Sequence, residues 1–290
     1  MLVNMKDLLN VAQQNNFAVG AYNIGSAELL KVALEECEKN NSPIILAIHP
    51  DELEYLTDEF VEYVKTRATN SKVPVVLHMD HGSNKNQILR AVKCGFTSVM
   101  IDGSHLDFEE NVKLTKEIVD IAKPLNISVE AELGTIGNLG NSAEGGTSEI
   151  IYTDPKKAKE LVERTGVDTL AVAIGTSHGL YPKWMKPELN LELLKEIKNE
   201  INIPLVLHGG SANPDNEIEE AVQLGVCKVN ISSDIKNAFF QKTREVLRNN
   251  ETALEPLLIF PEAIEEGKKV VKHKLGLFNC LGKADLYNNI

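Results

Sequence analysis

Cysteine is scarce in this sequence of 290 residues: only Cys37, Cys94, Cys227 and Cys280 are present, with no paired motif. That spacing excludes a disulfide framework and a thiolate metal site, and predicts reduced thiols in a cytoplasmic protein. No run approaches the ~18 apolar residues of a membrane span. The first residues, MLVNMKDLLN, carry no apolar core of signal-peptide length. Positive charge is in deficit: 30 Lys and Arg against 42 Asp and Glu leave a formal charge of −12. Neither nucleic acid nor an anionic membrane is expected as a partner, although a local site can still take an anionic substrate. A G-x-G-x-x-G turn after the first strand is also missing, which counts against a doubly wound dinucleotide fold. The 43% apolar content is ordinary, and at this length it buries a sizeable core.

Eight short apolar or β-branched runs follow one another: Phe17–Tyr22, Pro43–Ile48, Val73–Met79, Thr97–Ile101, Ile127–Leu133, Asp168–Gly175, Ile203–Leu207 and Val226–Ile231. Near-continuous hydrophobicity suits strands buried on both faces of a parallel sheet. Helical spacing of three and four fills the gaps, as in Ala27–Lys39, Asn86–Lys93, Glu109–Ala122, Pro155–Arg164, Leu191–Glu200 and Asp215–Leu224. Asp154-Pro155 and Asn213-Pro214 read as N-caps before a proline at the first helical position. Eight β/α units over about 250 residues predict a single-domain (β/α)8 TIM barrel. The barrel is expected over about residues 15–250, with Met1–Gln14 capping its bottom and a C-terminal helical tail over 251–290 packed outside. The longest connection without helical pattern, Gly134–Thr153, is a length that compact domains keep for function or mobility.

Barrel chemistry sits at strand C-termini. The exits of the eight runs carry Asn23, His49, Asp80 with His81, Asp102, Glu132, His178, His208 and Asn230. Of the histidines, His81, His178 and His208 each adjoin a glycine, which lets backbone and substrate come close. Three imidazoles at one end of a barrel suit a catalytic zinc ion with a fourth position open, with cobalt or manganese as substitutes. His105 and His273 are read as ordinary structural histidines, and His78 as orienting a neighbour from inside its strand. Asp80 is placed for proton transfer beside a metal; the alternative is an outer partner that orients a ligating histidine. After strands six to eight come Gly179, Lys183, Gly209, Gly210, Ser211, Ser232 and Ser233. Backbone N–H groups, a hydroxyl and a lysine there suit a phosphate. A metal, an acid/base carboxylate and a phosphate pocket together fit carbon–carbon cleavage of a ketose phosphate.

At these motifs the chain resembles the zinc-dependent class II fructose-bisphosphate/tagatose-bisphosphate aldolases. The likeness runs from Met5 to about Lys274, through FAVGAYNI, VPVVLHMDHG, SVMIDGSHL, VEAELGTIG, DTLAVAIGTSHGLYP, PLVLHGGS and KVNISSD. It implies that His81, His178 and His208 hold one zinc ion, with Asp102 and Glu132 near an alternate metal position. It implies that Asp80 moves the proton of the hydroxyl at the cleaved bond. Gly179, Lys183, Gly209, Ser211, Asn230 and Ser233 would hold dihydroxyacetone phosphate, with a monovalent cation (Na+ or K+) nearby. A homodimer or homotetramer is the family habit.

The aldehyde half departs from the family pattern. Where the loop after strand five usually reads G-G-x-E-D, Glu144 is the candidate mobile acid/base. Strand two ends in Ala47 and His49 where Gln and Ser are common, and Ser232 replaces a frequent Asp. Near the C-terminus only Lys283 stands where an arginine often meets a second phosphate, and lysine lacks the bidentate fork. The aldehyde therefore need not be glyceraldehyde 3-phosphate, and a ketose 1-phosphate is an alternative substrate. Two rival readings also fit the sequence. One is a Schiff-base barrel aldolase, for which Lys228 is the only lysine inside a late strand; the other is a non-catalytic sugar-phosphate-binding barrel.

Overall fold

The computed structural model describes residues 1–140, 146–147, 149–182, 184–185 and 187–288. Eight parallel strands close into a barrel: β1 Val19–Asn23, β2 Ile44–Ile48, β3 Val75–Gly82, β4 Ser98–Ile101, β5 Ser128–Leu133, β6 Thr169–Val172, β7 Leu205–Leu207 and β8 Val226–Ile231. Each pairs with its neighbours in sequence, and β8 closes on β1 with Val19 opposite Lys228 and Ala21 opposite Asn230. All eight apolar runs became strands. The predicted helices are present with ends moved by at most one residue, for example Ala27–Lys39 and Leu191–Glu200. The sequence reading did not place the helical segment Pro50–Thr69, which is broken by a kink at Thr57 (φ 64°). Its start is strongly specified nonetheless: His49 is the N-cap, Pro50 opens the first turn, and Glu52 completes a reciprocal capping box.

The helix Met5–Gln14 closes the bottom of the barrel, as expected. Lys6 N donates to Ser128 Oγ at the start of β5, and the Ser98 hydroxyl at the start of β4 lies 3.6 Å from Met5 Sδ. The tail helix Pro261–Leu277 packs on the outside, against helices Ser233–Asn249 and Ala27–Lys39. Gly267 lets it lie flat there, since a Cβ would stand 2.8 Å from Val32 Cγ1. Beyond it the chain returns to the bottom, where Tyr287 Oη donates to Leu8 O. No helix among the described residues is long and apolar enough to cross a membrane.

One predicted cap is corrected. Asp154 does cap its helix, accepting from Lys157 N at 2.9 Å, but Asn213 does not. The helix there is Asp215–Gln223 with Pro214 at the cap position, and Asn213 Nδ2 donates instead to Gly209 O and Ser211 O. Its amide thereby braces the β7 loop.

Candidate active site

The site forms at the C-terminal end of the barrel, and a bulge in β3 explains how adjacent residues share it. Successive residues of a strand face opposite ways. The β3–β4 register shifts between Met79 and Gly82, and His81 sits in the left-handed region at φ 48°. That backbone is costly for a non-glycine residue and is kept at functional sites. It turns Asp80 and His81 to the same interior. His81 therefore lies within the bulged end of β3 and not past it, which corrects the sequence reading.

His178 is also held differently from expectation. Strand β6 stops at Val172, and Ser177–His178 forms a separate two-residue parallel ladder with Gly137–Asn138 at the base of the long β5 loop. Leu139 N donates to His178 O, and Tyr181 Oη accepts from Ser177 N. His208 follows β7 directly. Gly209 after it adopts φ 62°, and a Cβ there would stand 2.6 Å from Ser177 O, so the two histidine-bearing segments approach through a glycine.

The three imidazoles converge. Ring centroids of His81 lie 5.1 Å from His178 and 4.6 Å from His208, and their donor nitrogens fall within 4.8 Å of one another. All three side chains are buried. Among the described residues His81 Nε2 and His208 Nδ1 have no hydrogen-bond partner, whereas the opposite nitrogen of each ring is engaged by a carboxylate. His81 Nδ1 is 3.0 Å from Asp102 Oδ2, and His208 Nε2 is 2.8 Å from Glu130 Oε1. A carboxylate behind each ring fixes its orientation and leaves the remaining nitrogen available to a metal.

Buried carboxylates make the centre favour positive charge. Burial alone pushes the His81 ring down, but Asp80, Asp102 and Glu132 outweigh it and carry it up to about 10. Burial also opposes charge on His208, yet Glu130 and Glu132 raise it. Glu132 is itself raised, by burial and by Asp102, and its Oε2 lacks a hydrogen-bond partner among the described residues. Nitrogen donors without partners in an anionic field fit a divalent cation such as zinc. Asp102 and Glu132, with His81, form a second group of convergent donors. A cavity of about 210 Å³ opens beside them.

Asp80 is fully buried, and amides from two other strands hold it. Asn23 Nδ2 on β1 donates at 3.2 Å, and Asn230 Nδ2 on β8 donates at 3.2 and 3.3 Å. Burial would raise its carboxyl, but His81, Lys228, His208 and His78 together hold it well below the usual carboxylate range. The exits of strands β1, β3 and β8 thus meet on one ionised carboxylate.

The expected phosphate side is assembled in part. Ser211 Oγ accepts from Asp234 N, tying the β7 loop to the first turn of the helix Ser233–Asn249. Ser232, at the cap position of that helix, makes no side-chain capping bond. Gly179 takes φ 104°, where a Cβ would meet Gly140 O at 2.9 Å. The Gly210 N–H is already donated to Asn230 O, so it is not offered to a ligand as the sequence suggested. His49 is near the site, its ring 6.3 Å from that of His81, with Nδ1 accepting from Asp51 N. Burial lowers it from the usual histidine range. Glu144 and Lys183 lie outside the described residues.

Lys283 is the clear miss. It sits at the opposite end of the barrel, its Nζ 5.8 Å from the Phe17 ring just before β1, and the neighbouring Ala284 N donates to Asn41 O. The tail that carries it returns to the strand starts, so it cannot meet a substrate in its own barrel. Lys228 is equally unsuited to Schiff-base chemistry: it is fully buried and ion-paired to Glu130 at 2.8 Å. His105 is exposed, and His273 pairs with Asp215 on the outer surface. Glu130 is the residue that sequence reasoning missed. Its signal was the alternation Ser128, Glu130, Glu132, which puts all three on one face of β5.

The family model described as fructose-bisphosphate aldolase class-II matches residues 3–283. The chain belongs to the class II fructose-bisphosphate aldolase family. As a class II aldolase it is a lyase. It is similar to a protein named fructose-bisphosphate aldolase from Staphylococcus epidermidis, with 39% identity over 288 residues, 98% of this chain and 99% of that one. Among solved structures, the aldolase shares 35% identity with the YdjI aldolase of Escherichia coli K12, at a TM-score of 0.84 covering 98% of this chain and all of that one. A putative fructose-1,6-bisphosphate aldolase from Coccidioides immitis superposes at a TM-score of 0.87 with 28% identity, over 98% of each chain.

Proposed function

We propose that the enzyme is a metal-dependent aldolase that reversibly cleaves a ketose 1,6-bisphosphate of the fructose or tagatose type into dihydroxyacetone phosphate and an aldehyde. The observation that supports it best is the meeting of His81, His178 and His208 beside a buried, amide-held Asp80. One zinc ion would be held by the three histidines, with Asp102 and Glu132 as the alternate position. The chemistry that such an ion supplies is Lewis-acid polarisation of a carbonyl.

Asp80 takes the proton of the C4 hydroxyl as the C3–C4 bond breaks. The bonding pair stays on C3, the C4 oxygen becomes the aldehyde carbonyl, and C3 is then protonated to give dihydroxyacetone phosphate. Asn23 and Asn230 keep Asp80 an acceptor and aim its oxygens. Glu144 is our candidate donor to C3. Gly179, Lys183, Gly209, Ser211, Asn230 and Ser233 are our candidates for the ketose 1-phosphate end, with Na+ or K+ beside it. His49 and Ser232 are proposed at the aldehyde end.

The place of Lys283 at the far end of its own barrel favours a second reading, in which the substrate is a ketose 1-phosphate with an unphosphorylated distal end. A homodimer or homotetramer is part of the same proposal, supported by the exposed Leu254, Leu257 and Leu258 at the start of the tail. The buried thiols Cys37, Cys94, Cys227 and Cys280 support a cytoplasmic setting. A coupled assay for dihydroxyacetone phosphate across ketose 1-phosphates and 1,6-bisphosphates, compared by kcat/KM, tests the reading. At least one ketose should be cleaved at about 10⁴ M⁻¹s⁻¹ or faster. If none is cleaved while dihydroxyacetone phosphate still binds, the chain is a sugar-phosphate-binding barrel without turnover.

A further inference from the structure

Below the histidines the barrel interior holds an ion pair that no step above uses. Lys228 of β8 and Glu130 of β5 are fully buried. Lys228 Nζ donates to both Glu130 oxygens, at 2.9 and 2.8 Å. Glu130 Oε1 is in turn 2.8 Å from His208 Nε2. On its other side Lys228 Nζ lies 3.4 Å from His78 Nε2, and His78 Nδ1 is 2.9 Å from Ser98 Oγ. One polar chain therefore crosses the barrel from Ser98 to His208.

Stability is a poor reason for this chain, because a buried ion pair can usually be replaced by apolar side chains at no loss. What it does determine is the direction of each hydrogen bond. An ammonium group has three donors and no acceptor. A carboxylate that receives two of them remains an acceptor, so the proton between Glu130 and His208 belongs to His208 Nε2. A neutral imidazole protonated at Nε2 has its lone pair on Nδ1. That is the His208 nitrogen without a hydrogen-bond partner, 3.4 Å from Glu132 Oε2 on the metal side. His78 follows the same logic: with Lys228 donating to its Nε2, the ring proton is left on Nδ1, facing Ser98.

We propose that Lys228 is a positioning residue for the aldolase reaction: acting through Glu130, it locks His208 in the Nε2–H tautomer that presents Nδ1 to the metal. This rests on the reading of His208 as a metal ligand. With a neutral side chain at position 228, Glu130 loses the two donors that keep it an acceptor, and His208 is no longer obliged to donate.

Two measurements test it. In metal-free wild-type protein labelled with [15N]histidine, at a pH where the ring is neutral, NMR should find the His208 proton on Nε2; a proton on Nδ1 would overturn the proposal without need of a variant. Lys228→Met keeps an unbranched chain one atom shorter and removes the charge. Zinc competition against a chromogenic chelator should show about 10–100-fold weaker binding, with Nδ1–H now populated. Wild-type zinc affinity with the proton still on Nε2 in this variant would sink the idea. A His208→Ala control separates the two levels. If it binds zinc as wild type does, the metal reading fails and this inference with it; if it loses zinc and Lys228→Met does not, only the inference fails.

Discussion

Replacing Asp80 with asparagine should leave zinc content unchanged and lower kcat for cleavage by about 10²–10⁴-fold, the range lost with a general acid or base. The shape of the site survives the change. Among the described residues Asn23 and Asn230 each keep a side-chain oxygen without a partner, so either amide can turn to accept from the new NH2 group. What is lost is a group able to take the hydroxyl proton as the bond breaks. Among the described residues Asp80 is not one of the convergent donors around the three histidines, so metal binding does not depend on it directly. Metal analysis after dialysis and steady-state cleavage rates give the two readings. Cleavage within about tenfold of wild type would remove Asp80 from proton transfer, and loss of zinc would make it a group that only orients a ligand.

A still larger effect is expected from His208→Ala. It removes one of three nitrogen donors, and two imidazoles do not make the three-ligand set of a catalytic zinc site. Zinc retained after dialysis should fall from about one ion per chain to below about 0.1, and cleavage should fall with it by at least about 10³-fold. The fold should tolerate the change. Glu130 still receives both bonds from Lys228, so the cost is one buried hydrogen bond, about 1–3 kcal/mol by urea unfolding. Full zinc content in this variant would show that the three histidines are not the metal site.

How far these residues could be read from sequence depended on what each signal reports. The eight strands were legible because both faces of every barrel strand are buried, which leaves near-continuous apolar runs. His178 and His208 were legible because glycines beside them mark close approach, and Gly179 and Gly209 do adopt positive φ. His81 does lie at the site, but strand spacing gave an incomplete reason for it. Strand alternation would turn it away from Asp80; only the bulge with His81 at φ 48° brings both inward, and a bulge leaves no periodic trace.

Other features depended on long-range geometry. Lys283 follows a motif in order along the chain, yet its helix returns to the strand starts, and sequence order does not say at which end of a barrel a tail finishes. Asn213 preceded a proline as a cap would, but tertiary bonds to Gly209 and Ser211 took its amide. The interior chain of His78, Lys228 and Glu130 was hidden among apolar neighbours. Its trace is a period of two: His78 with Asp80, Glu130 with Glu132 and Lys228 with Asn230 each pair an interior residue with one at the site.

Formation of dihydroxyacetone phosphate by the metal-stripped enzyme tests the central claim most directly. Enzyme treated with excess chelator and dialysed should lose at least about 99% of its cleavage of the best ketose phosphate, and one equivalent of zinc should restore it. Unchanged cleavage in excess chelator would contradict the account, because the three histidines would then carry no metal that the reaction needs.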